Sequence, residues 1–96
     1  MAGTDRAAET ANVQGCLARA VAGVLGLPGA DEVDIETSFA DLGLDSVGGI
    51  EVAKRVAGEL GMRVPPVLLF DFPTIRELSQ HLVSIRRHGA VGAATE

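Results

Sequence analysis

Residues 45–60, reading DSVGGIEVAKRVAGEL, decide the fold. Asp45 is a good N-cap, because its carboxylate can accept from the exposed backbone N–H groups of a helix that begins at Asp45 or Ser46. From there Ile50, Ala53, Val56, Ala57 and Leu60 recur at helical spacing and predict a buried face. Glu51, Lys54, Arg55 and Glu59 fall on the wet side, and Gly61 supplies the stop. Gly48 and Gly49 sit in the first turn against helix propensity, each at a cost of about 1 kcal/mol relative to Ala.

Working outward, residues 11–25 predict another amphipathic helix. Val13, Cys16, Leu17, Ala20, Val21 and Val24 lie on one face, and Gly26-Leu27-Pro28-Gly29 ends it. The connection over residues 29–45 is long for a compact domain, which usually signals function. Val33 and Ile35 are its apolar anchors, and Ser38-Phe39-Ala40-Asp41 predicts a single capped turn with Phe39 and Leu42 inward. Downstream, Arg63-Val64-Pro65-Pro66 must be extended. Val67-Leu68-Leu69-Phe70 predicts a short helix closed by Asp71-Phe72-Pro73. Thr74 with Glu77 opens the last long helix to Arg87, striped by Ile75, Leu78, Leu82 and Ile85. The expected fold is all-α: a small four-helix bundle of three main helices and one short one, with a long loop between helices 1 and 2. Residues 11–87 form the domain. Residues 1–10 and 88–96, rich in Ala, Gly and Thr, are expected to be flexible ends.

Composition narrows the function. The 96 residues suffice for one domain and are too few for a two-domain enzyme with its own cofactor fold. Hydrophobic residues make up 47% with only Phe39, Phe70 and Phe72 aromatic, which suits aliphatic helix packing. A net charge of -5 speaks against nucleic acid and against an anionic membrane as partners. No basic residue lies between Arg19 and Lys54, while Asp31, Glu32, Asp34, Glu36, Asp41, Asp45 and Glu51 all do. Such a stretch is either a solvated loop or a surface that docks onto basic partners. The lone Cys16 excludes an internal disulfide, and its place on an apolar stripe predicts a buried, inert thiol. His81 and His88 have no cysteine companion, so no metal site is expected. No run reaches the roughly 18 apolar residues of a spanning helix, and the acids Asp5 and Glu9 do not fit a signal peptide. The reading is a cytoplasmic domain.

Ser46 invites a catalytic reading, which its surroundings do not support. A hydrolase elbow reads Gly-x-Ser-x-Gly between strand and helix, whereas Leu44 precedes Ser46 by two and no strand is predicted. Taken alone, Asp45-Ser46 is a helix start and nothing more.

The wider context adds a resemblance. Asp41-Leu42-Gly43-Leu44-Asp45-Ser46-Val47, followed by Leu68-Leu69-Phe70-Asp71-Phe72-Pro73-Thr74, closely resembles the acyl carrier protein family, in detail the carrier domains of modular polyketide synthases. The resemblance covers about residues 12 to 87. It implies a non-catalytic carrier in polyketide biosynthesis with 4′-phosphopantetheine, taken from coenzyme A, attached to Ser46. Acyl intermediates would ride as thioesters on that arm. Asp45 and Val47 would serve recognition, Asp45 for the transferase and Val47 for partners or the base of the arm. The implied partners are a phosphopantetheinyl transferase and ketosynthase, acyltransferase and other synthase domains, with the isolated domain monomeric. A channel lined by Leu42, Val47, Leu68 and Phe70 is an expected shelter for a chain, although core packing accounts for the same residues. Family carriers usually have larger residues at the places of Gly48 and Gly49. The alternatives are a peptidyl or aryl carrier of a non-ribosomal peptide synthetase and, from a different class, an unmodified helical docking module. A small serine hydrolase is a third, remote class.

Overall fold

A computed structural model describes the backbone of residues 2–95 and the side chains of residues 7–87. Helices α1 (Ala2–Leu25), α2 (Phe39–Leu42), α3 (Ser46–Leu60), α4 (Leu68–Asp71) and α5 (Ile75–Thr95) follow in order, with a 3-10 turn at Ala30–Glu32. Three of these are long and the rest are single turns, so the chain is a helical bundle of the expected kind. Strand pairing among the described residues is limited to one isolated bridge, Ser38 to Thr74.

Helix α1 packs against both α3 and α5. Val13, Leu17 and Val21 meet Val52 and Val56 of α3 and Ile75, Leu78 and Leu82 of α5 in one core, every one of them 0% exposed. Each such side chain is stabilised by roughly 1.5–3 kcal/mol on leaving water. Cys16 is buried in the same core, and Ser79, also buried, donates its hydroxyl to the Arg76 carbonyl at 2.8 Å.

The punctuation follows the residue chemistry. Gly26 adopts φ 75° to end α1, and Leu27 N–H folds back to the Ala22 carbonyl at 2.9 Å. Gly61, φ 65°, ends α3 in the same left-handed way. Ser38 Oγ accepts from Asp41 N–H and Thr74 Oγ1 from Glu77 N–H, both at 3.1 Å.

Two helix boundaries and two apolar positions differ from expectation. α1 begins at Ala2, not near residue 11, and α5 runs to Thr95, past Arg87. Ala7 and Ala8 favour helix intrinsically. Glu9 then ties the two helices by ion pairs to Arg86 at 3.7 Å and Arg87 at 3.3 Å. Ile50 is 48% exposed, because the buried face of α3 runs through Val52, Ala53 and Val56 and turns Ile50 outward. Ile85 likewise sits at the rim of the α5 stripe.

The long loop is pinned rather than loose. Val33 is buried, Ile35 half-buried, and the Ile35 carbonyl accepts from Arg76 N–H at 3.1 Å. An Arg76–Glu36 ion pair reinforces that joint. Asp34 closes the turn before it, accepting from Glu36 N–H at 3.0 Å and from the Thr37 hydroxyl at 3.1 Å.

Candidate functional site

Four short stretches of chain meet at the start of α3. Phe39, buried at the head of α2, donates its N–H to the Pro73 carbonyl at 2.7 Å, which draws the α4–α5 corner onto the loop. Gly43, φ 104°, ends α2, and Leu44 N–H then bonds the Phe39 carbonyl at 3.0 Å. The chain is thereby turned so that Leu44 enters the core and Asp45 stands extended before α3. Below, Leu68 and Leu69 N–H donate to the Pro65 and Pro66 carbonyls at 3.0 Å, so the two prolines that stop the preceding segment also start α4.

Asp45 caps α3 as expected: its Oδ1 accepts from Gly48 N–H at 2.7 Å, and its carbonyl takes Gly49 N–H at 2.8 Å. Ser46 is therefore the first helical residue, exposed, with a hydroxyl that has no hydrogen-bond partner among the described residues. The N–H groups of Ser46 and Val47, ahead of the first intrahelical acceptor, are also left over. Two free donors at the positive end of a 15-residue helix favour an anion on the adjacent oxygen. Val47 is 74% exposed beside them, and the Asp41 side chain stands in solvent without a partner among the described residues.

Ser46 and Asp45 stand at a groove of about 440 Å³ whose walls include Phe39, Leu44, Leu69 and Phe70. Of the channel residues read from the sequence, Phe70 lines it; Leu42, Val47 and Leu68 do not. Leu42 and Leu68 pack partly buried against the core, and Val47 faces solvent. Phe39, Leu44 and Leu69 also line the groove, a role no sequence signal marks, since all three are buried and they come from α2, the turn before α3 and α4.

Among the described residues no histidine is set against the serine. His81 stacks on Phe72, ring centroids 4.0 Å apart and 18° from parallel, and is not among the groove residues. The His88 side chain lies outside the described residues. Cys16, also remote from the groove, has its thiol pushed up to about 11, first by burial and then by the negative charge of Glu59. Arg19 bonds that carboxylate at 2.7 Å and holds it below its ordinary range. No cluster of three His, Cys, Asp or Glu residues suited to a metal ion occurs among the described residues. No helix there is long and apolar enough to cross a membrane.

Known proteins match this arrangement. The family model for the phosphopantetheine attachment site covers residues 17–82. Erythronolide synthase EryA2 of Saccharopolyspora erythraea is 39% identical over 82 residues, which is 85% of this chain and 2% of that protein. The spectinabilin polyketide synthase system protein NorA′ of Streptomyces orinoci is 45% identical over 59 residues, 62% of this chain and again 2% of the relative. The chain thus spans a small fraction of its curated relatives. Among solved structures, the A1-type ACP domain from module 5 of MLSA1 superposes with a TM-score of 0.77 at 28% identity, covering 82% of this chain and 79% of that one. A free-standing peptidyl carrier protein from Acinetobacter baumannii gives 0.73 at 28% identity, covering 79% and 94%.

The family bears covalently attached 4′-phosphopantetheine, and this site suits that group. A partnerless hydroxyl, two free N–H donors and an adjoining largely apolar groove are what a phosphodiester and the arm behind it require. With the match spanning most of its length, the chain belongs to the phosphopantetheine attachment family and is an acyl carrier protein family domain.

Proposed function

We propose that Ser46 is the attachment residue and that the domain, without catalytic activity of its own, carries acyl groups for a modular polyketide synthase. The observation that carries this reading is the exposed Ser46 hydroxyl, free of protein partners, at the first position of α3. Its Oγ is the atom that would attack the pantetheine-side phosphorus of coenzyme A, forming the phosphodiester as the pyrophosphate P–O bond breaks and adenosine 3′,5′-bisphosphate leaves. Its proton must leave to a base brought by the modifying enzyme, since none of the described residues hydrogen-bonds it. The backbone N–H groups of Ser46 and Val47 would be available to hold the phosphate, since Asp45 is engaged on Gly48. The bound arm supplies a thiol whose thioester is activated for acyl transfer. Val47 beside the serine and Phe70 across the groove, 74% and 70% exposed, offer apolar contact to partner domains of the synthase. The domain itself is expected to be monomeric and cytoplasmic.

The polyketide relatives and Asp45 before the serine favour acyl over peptidyl cargo. The peptidyl carrier that superposes on this bundle keeps the second reading in view. The test is direct. The protein is incubated with coenzyme A, Mg²⁺ and a broad-specificity phosphopantetheinyl transferase, and intact mass is recorded. Wild type should gain one arm and Ser46→Ala none. An unchanged wild-type mass, or a gain that survives Ser46→Ala, overturns the assignment.

A further inference from the structure

Gly48 and Gly49 are adjacent in the first turn of α3, yet their surroundings are opposite. A Cβ on Gly49 would meet a single atom, Leu69 Cδ2, at an ordinary 3.6 Å. On Gly48 it would crowd two side-chain atoms, Leu44 Cδ1 at 3.1 Å and Asp45 Oδ1 at 3.2 Å, and touch Val24 Cγ1 at 3.4 Å. Two of those belong to the residues immediately before Ser46. Asp45 Oδ1 is the oxygen that caps the helix by accepting from Gly48 N–H itself. Leu44 is buried and forms the groove wall. Val24, on α1, stands at contact distance as the third neighbour. The backbone at Gly48 demands no left-handed conformation, since the positive-φ glycines are Gly26, Gly43 and Gly61. The missing side chain at position 48 is thus a matter of space.

We infer that Gly48 is a positioning residue for modification of Ser46, an inference that rests on Ser46 being the attachment site. Its bare Cα lets the first turn of α3 settle onto Leu44 and Val24 while Asp45 holds its cap. That combination fixes the direction in which the serine oxygen leaves the helix. A methyl at 48 can be accommodated only by shifting Leu44, by displacing the Asp45 carboxylate from its N–H, or by tilting the turn away from α1. The last two act on the backbone that carries Ser46, although the peptide preference for Ala over Gly in helices runs the other way.

Gly48→Ala is compared with Gly58→Ala, a glycine of the same helix where a methyl would meet nothing within 4 Å. Both are assayed for transferase-dependent loading at temperatures where circular dichroism reports full helix. Gly58→Ala should load with kcat and KM within about twofold of wild type. Gly48→Ala should lose about tenfold or more in kcat, with KM for the carrier within about twofold, because docking survives while the oxygen is misaimed. The amide proton of residue 48, read by NMR, should lose the downfield shift and slow exchange of a carboxylate-bonded group. In a Leu44→Ala background, which removes the nearest obstacle, the kcat deficit caused by Gly48→Ala should shrink to about threefold or less. Wild-type kcat in Gly48→Ala, an equal deficit in Gly58→Ala, or an undiminished deficit without Leu44 overturns the inference. So does a Gly48→Ala protein that never folds, which would make the position one of stability alone. Failure of wild type to load would sink the Ser46 reading instead.

Discussion

Along α1, α3 and α5 the buried positions are filled almost entirely by aliphatic side chains that touch one another across helices, as Leu17, Val56 and Leu78 do. Around the start of α3 the order comes from different bonds. Phe39 N–H holds the Pro73 carbonyl, Asp45 holds Gly48 N–H, and Leu44 N–H holds the Phe39 carbonyl. The core is therefore non-directional and large, and the site is directional and small. Most of the stability should reside in the first region and the aim of one hydroxyl in the second, so damage to the core ought to leave the site of the folded protein measurably intact.

The largest test of that separation is Leu78→Ala. Leu78 is 0% exposed in the first turn of α5, and truncation there should cost about 2–5 kcal/mol in urea unfolding. Loading of the protein still folded, well below the midpoint, should be unchanged; a loading defect in fully helical protein would break the division.

Next in size is a pH effect confined to the core. The Cys16 thiol has an ordinary value of 9.0 and is pushed up to about 11 in the fold. Between those values the unfolded chain releases the thiol proton and the folded one retains it. The stabilisation from the neutral thiol is complete below pH 9 and is lost as pH rises through 11. The loss should reach roughly 2–3 kcal/mol at most, at 1.36 kcal/mol per pKa unit. Subtracting the profile of Cys16→Ala removes the lysines and arginines common to both proteins, and a flat difference between pH 8 and 11 would disprove the thiol's share.

Much of the bundle was legible in the sequence for a physical reason: caps and stops are local. Asp45, Ser38, Thr74, Gly26 and Gly61 each act on backbone groups within a few residues, so residue type alone placed them. The apolar stripe of α1 was equally plain. The phase of α3 was misjudged at Ile50, since two glycines leave its first turn without side chains to mark the inner face. The groove was harder. Phe39, Leu44 and Leu69 come together through bonds between residues far apart in the chain, and nothing near any one of them signals the others. The early part of α1 likewise meets α5 through Glu9 with Arg86 and Arg87, a tertiary contact no local signal announces.

A smaller effect separates the two roles of Asp45. Asp45→Ala removes the side-chain acceptor for Gly48 N–H and should cost about 0.5–2 kcal/mol of stability. Asp45→Asn keeps an acceptor oxygen and should hold most of that stability while losing the charge. If Asn and Ala destabilise equally in thermal melts, capping is not what the carboxylate contributes.

The smallest expected effect, and the one that best tests the site without touching the core, lies at Asp41. Its backbone N–H is bonded to Ser38 Oγ, but its carboxylate stands in solvent on the acidic side of Ser46. Exposed charges of this kind add little to stability. Their field matters to an approaching partner, and acts within a Debye length of about 8–10 Å at ordinary ionic strength. If a basic enzyme surface is guided here, Asp41→Lys should leave the melting temperature nearly unchanged. It should slow transferase loading several-fold at low salt, and the gap from wild type should close as salt is raised. The defect would then belong to association, appearing in kcat/KM while kcat stays level. A deficit independent of salt would assign Asp41 a direct contact instead, and no deficit at all would leave the acidic loop as solvated surface.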